Sequence, residues 1–166
     1  MPRSFDVAVD SPVSVDEVLT AFSSEDYWLS RIATQSGRST LESVVVDDGR
    51  TVRVTTEQDL GPDLLPGIVA KFYRHDIKIR HTETWTPSGD QLRGEISVAV
   101  SGAPGSGLAT ASVAPTDDGS VLTVNGTVEF KVPLVGGTVE SFIAREFAKG
   151  VPDLQAFTAR WVTENA

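Results

Sequence analysis

The stretch Ile77-Lys78-Ile79-Arg80-His81-Thr82-Glu83-Thr84-Trp85-Thr86 alternates between two characters. Side chains along a strand point to opposite faces in turn, so parity sorts this segment into two sets. One set is Ile77, Ile79, His81, Glu83 and Trp85; the other is Lys78, Arg80, Thr82, Thr84 and Thr86, which suits water. A strand with one apolar and one solvated face belongs to an antiparallel sheet covered on one side.

The neighbouring segments repeat the pattern. Leu92, Ile96, Val98 and Val100 oppose Arg93, Glu95, Ser97 and Ser101. Leu122, Val124, Val128, Phe130 and Val132 oppose Thr123, Asn125, Thr127, Glu129 and Lys131. Val52, Val54, Thr56, Gln58 and Leu60 oppose Thr51, Arg53, Thr55, Glu57 and Asp59. Asp48-Gly49, Ser88-Gly89-Asp90 and Asp118-Gly119 are hairpin signals, and Ala103–Gly107 separates a further pair of strands. Strands are predicted over 4–10, 40–47, 51–60, 76–85, 91–101, 108–114 and 120–132, the last six forming a meander. Gly94 and Gly126 fall on the inward parity, where missing side chains permit bending or close backbone approach.

Two short helices are expected between the first strand and the meander. Ser14 and Glu17 form a capping box before a stripe of Val15, Val18, Leu19 and Phe22. Ser23 with Asp26 opens the next, whose buried side is read as Trp28, Leu29 and Ile32, with Gly37 just past its end. After Gly136-Gly137, the residues Val139, Ile143, Phe147, Val151, Leu154, Thr158 and Trp161 recur at helical steps to about residue 163. Such a helix is about 40 Å long, enough to cross a small sheet, and Pro152 is expected to kink or divide it. It alone has the length and amphipathicity to cover the apolar face. A bent sheet around one helix leaves room for a cavity.

The composition narrows the class. A chain of 166 residues, 40% hydrophobic and 22% charged, is expected to form one domain over 1–166. No segment approaches the roughly 20 apolar residues of a membrane-spanning helix, so integral membrane association is not expected. The opening Met1–Asp6 lacks a secretory apolar run, which makes the cytoplasm the default expectation. A net charge of −9 opposes binding to nucleic acid. With no cysteine, thiolate chemistry is absent, and with only His75 and His81 a histidine-rich metal site is impossible. No cofactor motif is present, so neither cofactor nor metal is expected. Oligomeric state is not readable.

The order strand–helix–helix–six strands–long helix resembles the helix-grip fold of the START and Bet v 1-like superfamily of polyketide cyclase/dehydrase and lipid-transport proteins. The junction Lys131-Val132-Pro133-Leu134-Val135-Gly136-Gly137-Thr138-Val139-Glu140 resembles that of a branch of unknown function found largely in actinobacteria. Phe22, Tyr27-Trp28 and Arg160-Trp161-Val162 are similar to it as well. The resemblance implies an α+β domain, a curved antiparallel sheet wrapped on a C-terminal helix, and a hydrophobic cavity between them. It carries no catalytic residue with it.

The polar exceptions on the apolar face define the candidate site. Thr56, Gln58, His81 and Glu83 stand among aliphatic neighbours, and an unpartnered buried carboxylate or imidazole is costly. They should pair with one another or line a wet pocket. Trp85, Phe130, Phe142, Phe147, Phe157 and Trp161 are either core or cavity wall; Phe142, Ile143 and Phe147 in the front half of the helix, with Trp85 and Phe72, are taken as ligand contacts. The loop Gly61–Gly67 leading to Phe72 and Tyr73 reads either as a lid or as a short docked helix.

Three functions fit these residues. The first is binding or transport of a small hydrophobic or amphipathic molecule, lipid-, sterol- or polyketide-like, with Thr56, Gln58, His81 and Glu83 orienting its polar end. The second is a cyclase/dehydrase-like enzyme with His81 and Glu83 as acid and base, the carboxylate raising the imidazole pKa. The third is a nonenzymatic interaction module with a solid core and a contact at Leu64 and Leu65.

Overall fold

In the computed structural model, which describes residues 2–35, 37–61, 67–71 and 76–166, seven strands form one antiparallel sheet. The strands are β1 (Arg3–Ser11), β2 (Arg38–Val46), β3 (Val52–Leu60), β4 (Ile77–Ser88), β5 (Gln91–Ser101), β6 (Gly105–Thr116) and β7 (Gly119–Phe130). Their order is β1-β7-β6-β5-β4-β3-β2, so β2–β7 form the expected meander and β1 closes its far side. The helices are α1 (Val15–Phe22), α2 (Glu25–Ile32), a single turn α3 (Gly67–Ala70) and α4 (Gly136–Glu164). The turn α3 falls in the connection read as a lid or a docked helix; Pro62–Pro66 and Phe72–His75 lie outside the described residues.

Local chemistry accounts for the elements. Ser14 accepts the Glu17 amide at 3.2 Å and Glu17 accepts the Ser14 amide at 3.0 Å, completing the capping box. The second helix begins differently from expectation. Ser24 stands at its N-cap without a side-chain bond, while Ser23 closes α1 by donating its hydroxyl to the Leu19 carbonyl. Gly89, at φ 63°, supplies the left-handed residue that the β4–β5 hairpin requires.

The inward glycines serve the close approach their parity implies. Trp85 lies directly opposite Gly94, and a Cβ on Gly94 would stand 2.5 Å from the indole. Phe5 lies opposite Gly126, where a Cβ would meet its ring at 2.6 Å. Each glycine is therefore a floor for an aromatic ring of the neighbouring strand. Gly136 serves a third contact, because a Cβ there would meet the Phe130 carbonyl at 2.5 Å at the strand-to-helix turn.

The helix α4 runs 29 residues, about 43 Å at 1.5 Å per residue, without being divided at Pro152. It packs chiefly along β1 and β7 and against α1. Its first turns join a small cluster of Ile77, Phe130 and Val139, with Ile79, Val100, Val132 and Ile143 around it. There the buried carboxylate of Glu140 accepts the Phe130 amide at 2.9 Å. The main core lies at the other end, built on Val18, Leu19, Phe22, Tyr27, Trp28, Val52, Val54, Trp85, Leu92 and Val113. Phe22 is its hub, with ring centroids 5.4 Å from Tyr27, 5.5 Å from Trp28 and 4.9 Å from Trp85. Leu29, expected inside, is 45% exposed, and Tyr27 takes the inward position instead. Among the described residues no helix is long and apolar enough to cross a membrane.

Candidate functional site

A cavity of about 590 Å³ lies between the sheet, α1–α2 and the later part of α4. Ligand sites typically have volumes of about 300–1,000 Å³. Most of its wall is apolar: Val18, Phe22, Trp28, Trp85, Ile96, Val98, Ala109, Val124, Phe147 and Phe157 all contribute. The cavity exists because the sheet is curved while α4 follows β1 and β7. The inner faces of β4 and β5 are left to be filled by something other than that helix.

One corner of the wall is polar. Thr56, His81, Glu83 and Arg31 all line the cavity. Glu83 Oε2 lies 3.3 Å from Arg31 Nη2, and Glu83 Oε1 accepts the Trp85 indole N–H at 3.1 Å. The Arg31 guanidinium lies 4.7 Å from the centroid of the Trp28 ring beneath it. Burial alone would lower its pKa, but the attraction of Glu83 and Tyr27 prevails and raises it.

The protons in this corner can be assigned in sequence. Thr158 donates its single hydroxyl proton to the Leu154 carbonyl at 3.0 Å, so it must accept from Tyr27 across their 2.7 Å contact. The Arg31 guanidinium lies near enough to the Tyr27 oxygen for its charge to oppose the effect of burial on the phenol. Burial, countered by Arg31, raises the Tyr27 pKa, so this phenol stays protonated and can fill its donor role. One chain of polar contacts thus ties β4 to α2 and α2 to α4.

His81 stands apart from that chain. It lies between Thr56 and Val98 in the sheet register, and burial lowers its pKa despite the Glu83 carboxylate. Arg31 pushes in the same direction as burial. The imidazole is therefore held neutral: Glu83 does act to raise its pKa, as expected, but burial outweighs it. The carboxylate is committed to Arg31 and Trp85, and no His81–Glu83 hydrogen bond forms among the described residues.

The structure brings Thr56, His81, Glu83, Trp85 and Phe147 to one cavity. Gln58, Phe142 and Ile143 are not among the described residues that line it. Ile143 and Ile79, the register partner of Gln58, belong to the cluster that seals the opposite end of the sheet. Phe72 lies outside the described residues. Sequence reasoning missed Arg31 and Tyr27. Their signal was available: spaced by four, they share one helical face beside Trp28.

The comparisons agree with this architecture. A family model described as "Protein of unknown function (DUF2505)" matches residues 6–162. Uncharacterized proteins of Mycobacterium tuberculosis and Mycobacterium bovis are each 37% identical over 174 residues, covering 99% of this chain and 99% of theirs. Among solved structures, a protein of Thermus thermophilus superposes with a TM-score of 0.60 at 15% identity, covering 100% of this chain and 99% of the other. A protein of Mycobacterium smegmatis gives 0.59 at 12% identity, over 98% and 92%. Ara h 8.0201 gives 0.54 at 12% identity, over 99% of both. At such identities the likeness is one of fold.

Proposed function

For a chain that belongs to the DUF2505 family and carries this cavity, we propose binding of a small hydrophobic or amphipathic molecule, lipid-, sterol- or polyketide-like, as the function. The observation that carries the proposal is the cavity of about 590 Å³, mostly apolar in its wall, with a polar corner at Thr56, His81, Glu83 and Arg31 and charged residues of α4 elsewhere along it. Apolar burial supplies most of the affinity, at about 25 cal/mol per Å² of surface withdrawn from water. The polar corner fixes orientation. Carriers and storage proteins need this division of labour, since an apolar ligand must be sheltered and still seated one way round.

The acid–base reading has less support, because Glu83 is already paired and His81 is held neutral without it. A module with a solid core is disfavoured by the cavity itself.

The test is gentle native mass spectrometry of freshly purified protein, followed by organic extraction and by incubation with a mixture of apolar compounds. A stoichiometric mass excess, released by solvent, is the expected result. Protein that neither carries nor takes up any apolar compound contradicts the proposal.

A further inference from the structure

Among the described residues that line the cavity away from its exposed rim, the Thr56 hydroxyl and the His81 imidazole have no hydrogen-bond partner. They are a directly opposed cross-strand pair on β3 and β4, and both line the cavity. Thr56 is only 7% exposed. Neutral imidazole offers one donor and one acceptor, and a hydroxyl offers both. Polar groups withdrawn from bulk water are ordinarily paired, and a ligand atom of matching chemistry would satisfy this pair.

The charges around the pair decide what that atom can be. Arg31 faces it from α2, but its charge is answered by Glu83 at 3.3 Å. Glu83, on the same strand as His81, has both oxygens engaged. From α4 the cavity is lined by Glu146, Asp153 and Arg160. Taken together, the ionised residues of the wall carry one more negative charge than positive, on a chain with net charge −9. A carboxylate or phosphate entering this corner finds Arg31 already answered by Glu83, and the wall's other cation, Arg160, unpaired among the described residues, stands over Phe157 on an exposed part of α4. An ammonium finds no uncommitted carboxylate beside His81 and lies close to Arg31. An ion buried without a partner is far more costly than a neutral hydroxyl or carbonyl that gains a hydrogen bond.

We infer that the ligand is an uncharged apolar molecule bearing a hydroxyl or carbonyl oxygen, which hydrogen-bonds to His81 and Thr56. This inference rests on the cavity-binding function proposed above and narrows it to one ligand chemistry: a neutral alcohol or ketone, with fatty-acid and amine ligands excluded.

The test displaces the uncharged dye Nile red from the full chain with 1-decanol, 2-decanone, 1-chlorodecane, decanoate and decylammonium, at equal free concentrations. Decanol and decanone are expected to displace the dye at concentrations about tenfold or more below decanoate and decylammonium. A ratio of tenfold corresponds to about 1.4 kcal/mol. Hydrophobicity alone also favours neutral probes, so the deciding readout is a ratio within them. The decanol-to-chlorodecane affinity ratio falls about tenfold in His81→Leu and is largely retained in His81→Gln, which keeps a donor and an acceptor. Thr56→Val gives a second, independent reading of the same ratio, should His81→Leu fail to fold. Decanoate binding as tightly as decanol, or a ratio unmoved by His81→Leu and Thr56→Val, overturns the inference while cavity binding stands. Failure of Nile red and every probe to bind overturns both.

Discussion

Arg31 on α2 and Glu83 on β4 meet at 3.3 Å in the wall of the cavity, with side chains only 15% and 11% exposed. Two charges withdrawn so far from water are stable together and costly apart. Glu83→Gln or Arg31→Met alone is expected to destabilise the fold by about 3–5 kcal/mol. Arg31→Met combined with Glu83→Leu should cost much less than the two single losses added together. Urea denaturation of the four proteins measures this coupling; additive single effects would show that the pair does not act as a unit.

The Trp85–Gly94 pair predicts a steric result. A Cβ at position 94 would stand 2.5 Å from the indole, on a strand whose neighbours hold it in register. Gly94→Ala is expected to cost about 1–3 kcal/mol through displacement of the ring. It should also shift the tryptophan emission, because Trp85 is 3% exposed and one wall of the cavity. Unchanged stability and emission would mean that the ring can move without cost.

Protonation of His81 should weaken the fold. Its pKa is lowered by burial, with Arg31 adding to the effect and Glu83 opposing it. A base whose folded pKa lies below its unfolded value contributes fully above the unfolded value, about 6.5. That contribution is lost as pH falls through this value and stops changing below the folded pKa. Chemical denaturation between about pH 7.5 and 5 should therefore show a decline in stability that His81→Gln flattens. The same decline in the variant would assign the effect to other groups.

Tyr27 joins α2 to α4 through Thr158, and it is fully buried. Tyr27→Phe keeps the ring contacts with Phe22, Trp28 and Trp161 but removes the hydrogen-bond donor that Thr158 accepts from. A loss of about 1–3 kcal/mol is expected, the range for stranding a buried polar partner. Calorimetry or urea denaturation reads it directly, and a neutral substitution would contradict the proton assignment.

Much of the frame is visible in the sequence because strand parity and helical spacing are local signals. The alternation through His81, Glu83 and Trp85, the hairpin glycines and the Ser14–Glu17 box each depend on residues close together in the chain. The partner of Glu83 does not. Parity shows that a carboxylate on the inner face needs a partner, but the nearest candidate on the same strand, His81, is not the one the fold supplies. The fold brings Arg31 from a helix 52 positions earlier, and only the three-dimensional placement of α2 selects it. The division of α4 between cavity and seal is hidden for a related reason: Phe147 lines the cavity, whereas Ile143 packs in the cluster at the other end. Helical spacing finds the apolar stripe of Phe142, Ile143 and Phe147 but not which turns of it seal against Ile77 and Phe130. Leu29, read as part of the buried side of α2, is exposed, and the inward stripe is Tyr27, Trp28 and Ile32.

The most direct test of the central claim is a titration of Nile red into the wild-type chain and into Val98→Trp. Val98 lies opposite His81 on the cavity floor, where an indole would occupy the space assigned to the ligand. The account predicts saturable one-to-one binding to the wild type and its loss in a Val98→Trp variant that remains folded by circular dichroism. Absence of saturable binding to the wild type, or equal binding to a folded Val98→Trp, would contradict it.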